Sequence, residues 1–275
     1  YKLELEQCSG DALCRACSAG SRMCPAYRAE PDEMNSPRAR ATLLRFHAAG
    51  LISEQQFNSP RFKQILDSCI NCKMCSVECP SGVDVSNLIM EARAQCAIVN
   101  GVNTTCYVLA RNRYLSILGN LFAPIANMLL GFELSRGLLE KLTGLDRRRP
   151  MPRFDWGRFL PKAKKWLRKQ RPIAEPRGKV AYFVDTFVNF NDHATGWAVL
   201  KVLRSLGIDV ILPGQKPVPL PAAVYGEAPK ARHELAKTVS SLSDCVKKGY
   251  KIVCSERSAA LFLKKALEFF DTSDD

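Results

Sequence analysis

The sequence predicts an α+β protein of more than one domain, in which a cysteine-rich helical part precedes a part that alternates strands and helices. Three observations support this prediction. Nine of the twelve cysteines fall within residues 1–101 of the 275-residue chain. Residues 102–145 carry apolar side chains at helical spacing. Residues 179–275 alternate short apolar runs with longer amphipathic ones, which is typical of a parallel sheet covered by helices.

These changes in composition divide the chain into four predicted segments: 1–101, 102–145, 146–178 and 179–275. With 47% hydrophobic and 24% charged residues, the chain has the composition of a core-forming protein, which excludes wholesale disorder and collagen. It starts at Tyr1 with a charged stretch instead of an apolar one. We therefore expect a partial or processed chain from a reducing compartment.

In the first two segments, end signals and periodicity predict the helices. Residues 37–49 start with a proline and are followed by Gly50, and residues 85–99 form a second helical stretch. In 102–145, polar residues and Pro124 interrupt the apolar pattern before it reaches the roughly 20 apolar residues that a membrane span needs. We interpret this segment as helices packed on protein, with a membrane or a partner as a further surface. Its periodic apolar positions are Leu115, Leu118, Leu121, Phe122, Ile125, Met128 and Leu129.

The third segment is basic and rich in proline, which excludes one continuous helix. Within it, residues 159–170 are predicted to form a short basic amphipathic helix. The last segment has apolar runs that predict strands and amphipathic runs that predict helices. In order, these are a strand at 179–185, a helix at 195–205, a strand at 209–212, a proline-rich loop at 213–221, a helix at 228–248, a strand at 250–254 and a helix at 258–270.

Positive charge is concentrated in one stretch of the chain. The formal net charge is +13, and residues 141–179 hold fourteen Lys or Arg against three acids. Such a stretch suits nucleic acid, an anionic membrane surface or an acidic partner protein, or it is a solvated linker. No RNA-binding aromatic run, zinc-finger histidine pair or helix-turn-helix pattern accompanies it, so nucleic acid is the least favoured partner.

The most informative motif is CINCKMCSVECP at residues 69–80. It fits the C-x2-C-x2-C-x3-C-P run of two-cluster bacterial ferredoxins, in which three cysteines ligate one [4Fe–4S] cube and the fourth ligates the other. Two-residue gaps let a tight loop place three thiolates on one face of a cube. The first segment is therefore predicted to be a helical, ferredoxin-like domain with two clusters.

A companion set of cysteines comes earlier, at Cys8, Cys14, Cys17 and Cys24, and also ends in Cys-Pro. By the crossing rule, we expect Cys8, Cys14, Cys17 and Cys79 to hold the first cube, and Cys24, Cys69, Cys72 and Cys75 to hold the second. Asp11 stands where a regular run carries its middle cysteine. If Cys17 is not a ligand, then Asp11 or a three-iron cluster is the alternative.

Other chemistry is less well supported by the sequence. Zinc sites usually draw on two cysteine pairs separated by a dozen or more residues, often with histidine, and this chain has only three histidines. We interpret His47, His193 and His233 as ordinary histidines and the remaining cysteines as small core residues. Those cysteines are Cys96, Cys106, Cys245 and Cys254. No G-x-G-x-x-G, P-loop or G-x-S-x-G motif occurs, so we expect no catalytic residues in this chain.

Several short motifs follow one another in a recognisable order. They are Cys14-Arg15, Met23-Cys24-Pro25, Ser36-Pro37-Arg38-Ala39-Arg40, the cysteine run with Ser81-Gly82-Val83-Asp84 after it, residues 184–189 and residues 256–260. With these motifs, the chain resembles the iron–sulfur portion of FAD-linked dehydrogenases of the glycolate/D-lactate oxidase type. It also resembles their relative, the iron–sulfur subunit of anaerobic glycerol-3-phosphate dehydrogenase.

The resemblance implies an oxidoreductase component that relays electrons. In that family a flavin module oxidises a 2-hydroxy acid or a related alcohol, and two [4Fe–4S] clusters pass the electrons to quinone or another acceptor. The C-terminal α/β part of the family carries cysteine-rich CCG repeats. Here residues 214–221 and 256–260 lack cysteine, so we expect a partial CCG-type domain with a parallel sheet and no third cluster. FAD is expected on a partner chain or on a module outside this sequence.

We expect a cytoplasmic protein that contacts the inner face of the cell membrane peripherally through the basic stretch 141–179. One alternative is an electron relay for an electron-transfer flavoprotein or a heterodisulfide-reductase-like complex. An alternative of another class is a structural iron–sulfur scaffold that binds nucleic acid.

Overall fold

The computed structural model describes residues 2–18, 20 and 22–270, with the backbone alone for Lys2 and residues 266–270. These residues divide into two units. The first comprises the described residues up to Asn103 together with Ala223–Ala228, and the second comprises Thr104–Ala222 and the described residues from Pro229 onward.

The first unit is built from helices over most of its described length. Short 3₁₀ turns lie at Leu13–Arg15 and Glu33–Asn35. The α-helices are α1 (Lys2–Glu6), α2 (Pro25–Ala29), α3 (Pro37–Ala48), α4 (Glu54–Phe57), α5 (Pro60–Asp67), α6 (Met74–Glu78) and α7 (Val85–Asn100). Thus α3 and α7 confirm the predicted helices.

Local capping explains where these helices begin. The Ser36 hydroxyl accepts a hydrogen bond from the Ala39 N–H at the start of α3, and Ser59 caps α5 in the same way. Each serine is followed by a proline at the first helical position, which has no N–H to leave unsatisfied. The Asp84 carboxylate accepts from the Asn87 N–H and caps α7.

An apolar core holds the helices of the first unit together. The sides of α3, α5 and α7 that face one another bury residues that include Leu44, Leu66 and Ile89. Four cysteines pack against this core while half-buried, namely Cys8, Cys69, Cys75 and Cys79. The core therefore holds both cysteine loops against the same group of helices.

The second unit begins with helices and continues as an α/β layer. Its helices are α8 (Thr104–Ala110), α9 (Asn112–Leu121), α10 (Ala123–Gly131), α11 (Glu133–Thr143), α12 (Phe159–Lys169), α13 (Thr186–Phe190), α14 (His193–Ser205), α15 (Leu220–Val224), α16 (Ala228–Lys247) and α17 (Arg257–Phe270). Its strands are β1 (Gly178–Phe183), β2 (Ile208–Ile211) and β3 (Lys251–Cys254).

The three strands form a parallel sheet in the order β2–β1–β3. Val180 of the central strand pairs with Val210 on one side and with Lys251 on the other. Because β1 is central and covered, Val180 to Phe183 are buried. The mostly helical chain with a small parallel sheet confirms the predicted α+β class. The short helices α13 and α15 were not predicted, and α15 starts inside the predicted loop 213–221.

One face of α12 packs on this layer. Phe159 and Ala163 are fully buried with Tyr182 and Leu200, and Trp166 packs against the same cluster. The approach is close at Gly196 of α14, where a Cβ would lie 2.6 Å from the Phe159 ring. The predicted basic amphipathic helix is thus confirmed, with its apolar face covered by the second unit and Lys162, Lys165, Arg168 and Lys169 exposed.

The apolar side chains of α9 and α10 are mostly exposed. Leu118 is 61% exposed, Leu121 is 63% exposed and Ile125 is 55% exposed. The segment does pack on protein, through buried Ser116 and Asn120 of α9, but these periodic apolar side chains are not covered within the described residues. Periodicity shows that a helix has an apolar face but not what covers it. None of the described helices is long and apolar enough to cross a membrane alone. Only α9 and α10 together reach that length and composition, and they meet at 107°.

Candidate metal centre

The two cysteine loops predicted from sequence lie side by side in the first unit. The Ser9 hydroxyl, next to Cys8, lies 2.9 Å from the Ser81 hydroxyl, two residues after Cys79. The Asp84 N–H donates to the Glu4 carboxylate over 3.0 Å. These contacts join the start of the chain to the end of the second cysteine run.

Four cysteines line one pocket, which we call site 2: Cys24, Cys69, Cys72 and Cys75. Cys24 comes from the first loop and the other three come from the second. Burial raises the pKa of the Cys72 thiol, and the negative charges of the neighbouring Cys69 and Cys24 raise it further. The structure thus brings together all four ligands that the crossing rule assigns to the second cube.

The pKa of Cys75 is strongly raised. Burial first, and then the charges of Cys69, Asp84 and Cys72, raise the pKa of its thiol to about 12. A hydrogen bond from the Ser86 backbone, in the first turn of α7, acts in the opposite direction. The Met74 backbone at the start of α6 lowers the pKa of Cys72 in the same manner. The first turn of a helix has N–H groups without intrahelical partners, and here those groups face sulfur.

Cys8, Cys14 and Cys79 form a second group, which we call site 1. Burial raises the pKa of the Cys14 thiol, the charges of Cys8 and Cys79 raise it further, and a hydrogen bond from the Arg38 backbone lowers it. Arg38 lies in the first turn of α3, so a helix start again faces a cysteine. Site 1 therefore combines two residues of the first loop with the last cysteine of the second loop.

The fourth ligand of site 1 remains a prediction. Cys17 is exposed, and its sulfhydryl lies 3.6 Å from the Arg15 carbonyl. Asp11 is exposed as well, and its carboxylate accepts a hydrogen bond from the Ser9 hydroxyl over 2.8 Å. Neither contact joins Cys17 or Asp11 to Cys14.

The backbone of both loops adopts left-handed conformations at residues other than glycine. Among the described residues, positive φ outside glycine occurs at Ala12 (59°), Asn71 (52°) and Lys73 (59°). Asn71 and Lys73 flank Cys72, and Ala12 lies two residues before Cys14. Such conformations are uncommon for residues with a Cβ and tend to occur at functional sites. Here they occur in the tight turns next to Cys14 and Cys72.

Two buried cations also line site 2. Arg40 is 2% exposed, with one guanidinium nitrogen 3.8 Å from the Cys24 sulfur and another donating to the Ser68 hydroxyl over 2.7 Å. The Lys73 ammonium donates to the Asn87 side chain over 2.7 Å and lies 3.8 Å from the Asp84 carboxylate. The sequence pattern alone predicts no role for either cation. The one available signal was Arg40, a charged residue four positions before the buried Leu44 on the same helix.

A third buried cation fixes the start of the cysteine run. The guanidinium of Arg93 on α7 donates to the carbonyls of Leu66 and Cys69 over 2.8 and 2.7 Å. This links α7 to the turn between α5 and the cysteine run.

The donor set fits iron–sulfur clusters. Each site gathers thiols from both loops beside backbone N–H groups, and site 2 adds two cations that offset negative charge. Within the residues that the structure describes, no three His, Cys, Asp or Glu side chains converge as ligands of a single metal ion.

The other cysteines and histidines lie elsewhere in the fold. Cys96 is buried in the core of the first unit, Cys245 is buried, and Cys106 and Cys254 are half-buried. His47 stacks on Phe57, with ring centroids 3.9 Å apart. His193 packs against Phe159, and burial lowers the pKa of its imidazole.

Comparison with known proteins agrees with this site. Residues 12–84, which contain seven of the eight predicted ligands, match the family model described as a 4Fe-4S dicluster domain. An anaerobic glycerol-3-phosphate dehydrogenase subunit from Escherichia coli (strain K12) is 28% identical over 188 residues. This match covers 67% of the chain and 46% of the relative.

Two further relatives match over a shorter stretch. The glycolate oxidase iron-sulfur subunit of Escherichia coli (strain K12) is 32% identical over 82 residues, which is 29% of the chain and 19% of the relative. The probable glycolate oxidase iron-sulfur subunit of Bacillus subtilis (strain 168) is 33% identical over 81 residues, or 29% of the chain and 17% of the relative.

The chain is homologous to these dehydrogenase and oxidase subunits. This confirms the resemblance inferred from the motifs. The chain spans about half the length of the glycerol-3-phosphate dehydrogenase subunit and less of the other two. No solved structure matches the chain significantly.

Replacing a ligand of site 2 is expected to remove one cluster only. Cys75→Ala should lower iron and acid-labile sulfide to about half of the wild-type content, because each cube has its own cysteine set. Cys96→Ala removes a buried thiol outside both sites and should leave the content unchanged. Iron and sulfide analysis with EPR of the reduced protein measures both. Full iron content in Cys75→Ala, or an equal loss in Cys96→Ala, would contradict the assignment of site 2.

Proposed function

We propose that this chain is the iron–sulfur electron-transfer subunit of a flavin-linked dehydrogenase and that it carries two [4Fe–4S] clusters. Site 1, completed by Cys17, holds one, and site 2 holds the other. The observation that carries the proposal is the exchange of cysteines between the loops: Cys79 lies with Cys14, and Cys24 lies with Cys69, Cys72 and Cys75. The homologous subunits are named as parts of dehydrogenases and oxidases.

When bound, such clusters accept and release single electrons, which suits a flavin that gives up two electrons one at a time. The chain's own residues hold and tune the sites. The cysteines anchor them, and the helix-start amides of Arg38, Met74 and Ser86 face the sulfurs of Cys14, Cys72 and Cys75. Hydrogen bonds to sulfur and burial are the means by which a protein sets cluster potentials.

The two sites differ in charge. Arg40 and Lys73 are both buried at site 2, where the Asp84 carboxylate, 3.8 Å from the Lys73 ammonium, offsets part of their positive charge. The remaining positive charge stabilises added negative charge there. At site 1, Arg38 contributes its backbone, and its guanidinium pairs with Glu33 over 2.9 Å. Site 2 is therefore the one that accepts an electron more readily, so electrons travel from site 1 to site 2.

The proposed partners follow from the homologues and from the surface of the second unit. A FAD-containing dehydrogenase supplies the electrons, and a quinone takes them. The basic stretch 141–179 and the exposed apolar side chains of α9 and α10 together suit an anionic membrane, which attracts cations and accepts apolar groups. The chain accordingly lies on the cytoplasmic face of the membrane as a peripheral protein.

The substrate of the flavin partner is expected to reduce the clusters through that partner. We would purify the native complex anaerobically and add glycolate, D-lactate or glycerol 3-phosphate in turn. One of them should bleach the broad visible absorbance of the iron–sulfur centres, and air should restore it. The proposal fails if the native chain carries zinc instead of iron. It also fails if dithionite bleaches the centres but no flavoprotein and substrate pair does.

Neutralising Lys73 is expected to lower the reduction potential of site 2. Lys73→Gln keeps a donor for the Asn87 side chain and removes the charge. The shift should be on the order of 50 mV, because about 1.4 kcal/mol of lost electrostatic stabilisation equals about 59 mV for a one-electron couple. Potentiometric titration followed by EPR measures it. Arg61→Gln, an exposed cation on α5, is the control and should shift neither potential. An unchanged potential in Lys73→Gln would refute this role.

Removing charge from α12 is expected to weaken membrane binding. We would change Lys162, Lys164, Lys165, Arg168 and Lys169 to Gln together and measure cosedimentation with phosphatidylglycerol-containing vesicles. Affinity should fall at least tenfold, with a weaker dependence on salt, at ~1 kcal/mol for each cation near an anionic surface. The matched control changes five exposed lysines outside the stretch: Lys201, Lys237, Lys247, Lys248 and Lys251. Equal binding by the α12 variant and the wild type would exclude this surface.

A further inference from the structure

The second unit contains a cavity of about 280 Å³ that the proposed electron relay does not use. It lies where the central and third strands of the sheet end. Asp185 follows β1, Glu256 follows β3, and both line the cavity. The remaining lining comes from α8 and α9, from residues 145–154, from α13 and Asn191, from residues 218–221 and from Ser258.

The topology of the sheet places the cavity at a position where open parallel sheets commonly bind ligands. From β1 the chain moves to β2 on one side, and it then crosses to β3 on the other side of β1. The gap between β1 and β3 is thus the point at which the strand order reverses. In open parallel sheets, ligands bind at the carboxyl ends of the strands beside such a point.

The chemistry of the lining excludes anionic ligands. Most lining side chains are apolar, among them Leu115, Phe154, Phe187 and Val218. Among the residues that line the cavity there is no lysine, arginine or histidine, whereas two carboxyl groups face it. A phosphate, or the carboxylate of a 2-hydroxy acid, would meet negative charge with no cation to offset it. The cavity therefore suits a neutral, largely apolar molecule.

The two carboxyl groups have fixed positions. The Asp185 carboxyl is 6% exposed and accepts from the Val218 N–H over 2.8 Å. Glu256 accepts from the Phe187 and Val188 N–H groups over 3.2 and 2.9 Å. Burial, and then the charge of Glu256, raise the pKa of Asp185 to about 8, and burial raises the pKa of Glu256. At neutral pH Asp185 is therefore mostly protonated and has an O–H to donate.

Access to the cavity is apolar. Leu115 and Phe187 line it and are each 47% exposed. Leu115 also belongs to the exposed apolar surface of α9. A ligand that dissolves in an apolar phase can therefore reach the cavity over apolar side chains.

We propose that this cavity binds the ring of a quinone, with the Asp185 carboxyl donating a hydrogen bond to a ring carbonyl and the apolar lining enclosing the ring faces. The lining and shape of the cavity alone support binding of a neutral ligand with a carbonyl group. The choice of a quinone as that ligand rests on the proposed function.

Binding of ubiquinone-1 to the purified, cluster-loaded protein tests the proposal by equilibrium dialysis. Saturable binding is expected. Naphthoquinone-2-sulfonate, an anionic quinone, should bind at least tenfold more weakly, because the Glu256 carboxyl group lines the cavity and no cation among the lining residues offsets the charge of the sulfonate. The proposal is overturned if ubiquinone-1 does not saturate a site or if the sulfonate binds equally well.

Two variants locate the site. Ser116→Phe places a ring in the cavity and should weaken binding at least tenfold, whereas Ser243→Phe, which lines a different pocket of the second unit, should leave it unchanged. If Ser116→Phe does not fold, Leu115→Asp decides. It charges an exposed lining residue, and Leu206→Asp at a 51% exposed position is its control. Equal binding in the lining variants and their controls refutes this location.

Failure of this proposal differs from failure of the proposed function. Clusters that a flavoprotein reduces normally, in a protein that does not bind ubiquinone-1, would remove the cavity assignment alone. Ubiquinone-1 binding lost in the lining variants, in a chain whose clusters no flavoprotein reduces, would retain the cavity and remove the electron relay.

Discussion

The burial of several thiols in one place is the constraint on which the first unit depends. Thiolates close together repel one another, and burial deprives each of water, so the pKa of Cys75 rises to about 12. The groups that favour the thiolate form of these cysteines come from different parts of the fold. Helix starts supply amides without intrahelical partners, α3 supplies Arg40, and the cysteine loop itself supplies Lys73. Helices capped by Ser36 and Asp84 therefore do more than fill a core, because their first turns face the cysteines.

The sequence predicts much of this site because its strongest signals are local. Cysteine spacing and the Cys-Pro endings identify the two loops, and Ser36-Pro37 marks the start of α3. The crossing rule groups Cys24 with the second loop, and the pocket contains that group. The roles of Arg40 and Lys73 depend on partners that are distant in sequence or set by an unusual backbone. Arg40 donates a hydrogen bond to Ser68, and Lys73 adopts a positive φ that is uncommon for lysine and could not be predicted from the residue type.

In the second unit, the sequence predicts the helices and strands better than it predicts which of their side chains are buried. The alternation of strands and helices predicted the parallel sheet, since the buried part of a central strand, Val180 to Phe183 in β1, must be apolar. For α9 and α10 the same kind of pattern predicted helices but not which of their side chains the protein covers. An apolar face signals contact with something apolar, and only the three-dimensional arrangement shows that Leu118 and Leu121 face outward.

Residues 214–221 and 256–260 lack the cysteines that the family resemblance implies there, and both segments contribute to one cavity. The first supplies Val218, Leu220 and Pro221, and the second supplies Glu256 and Ser258. Cysteine thiolates beside Asp185 would add negative charge where two carboxyl groups already lie together and no cation lines the wall. Site 2 has a different balance, with Arg40 beside its thiols and Lys73 between them and the Asp84 carboxylate. An anionic cluster would therefore be better stabilised at site 2 than in the cavity, and the cavity is better suited to a ligand that brings no charge.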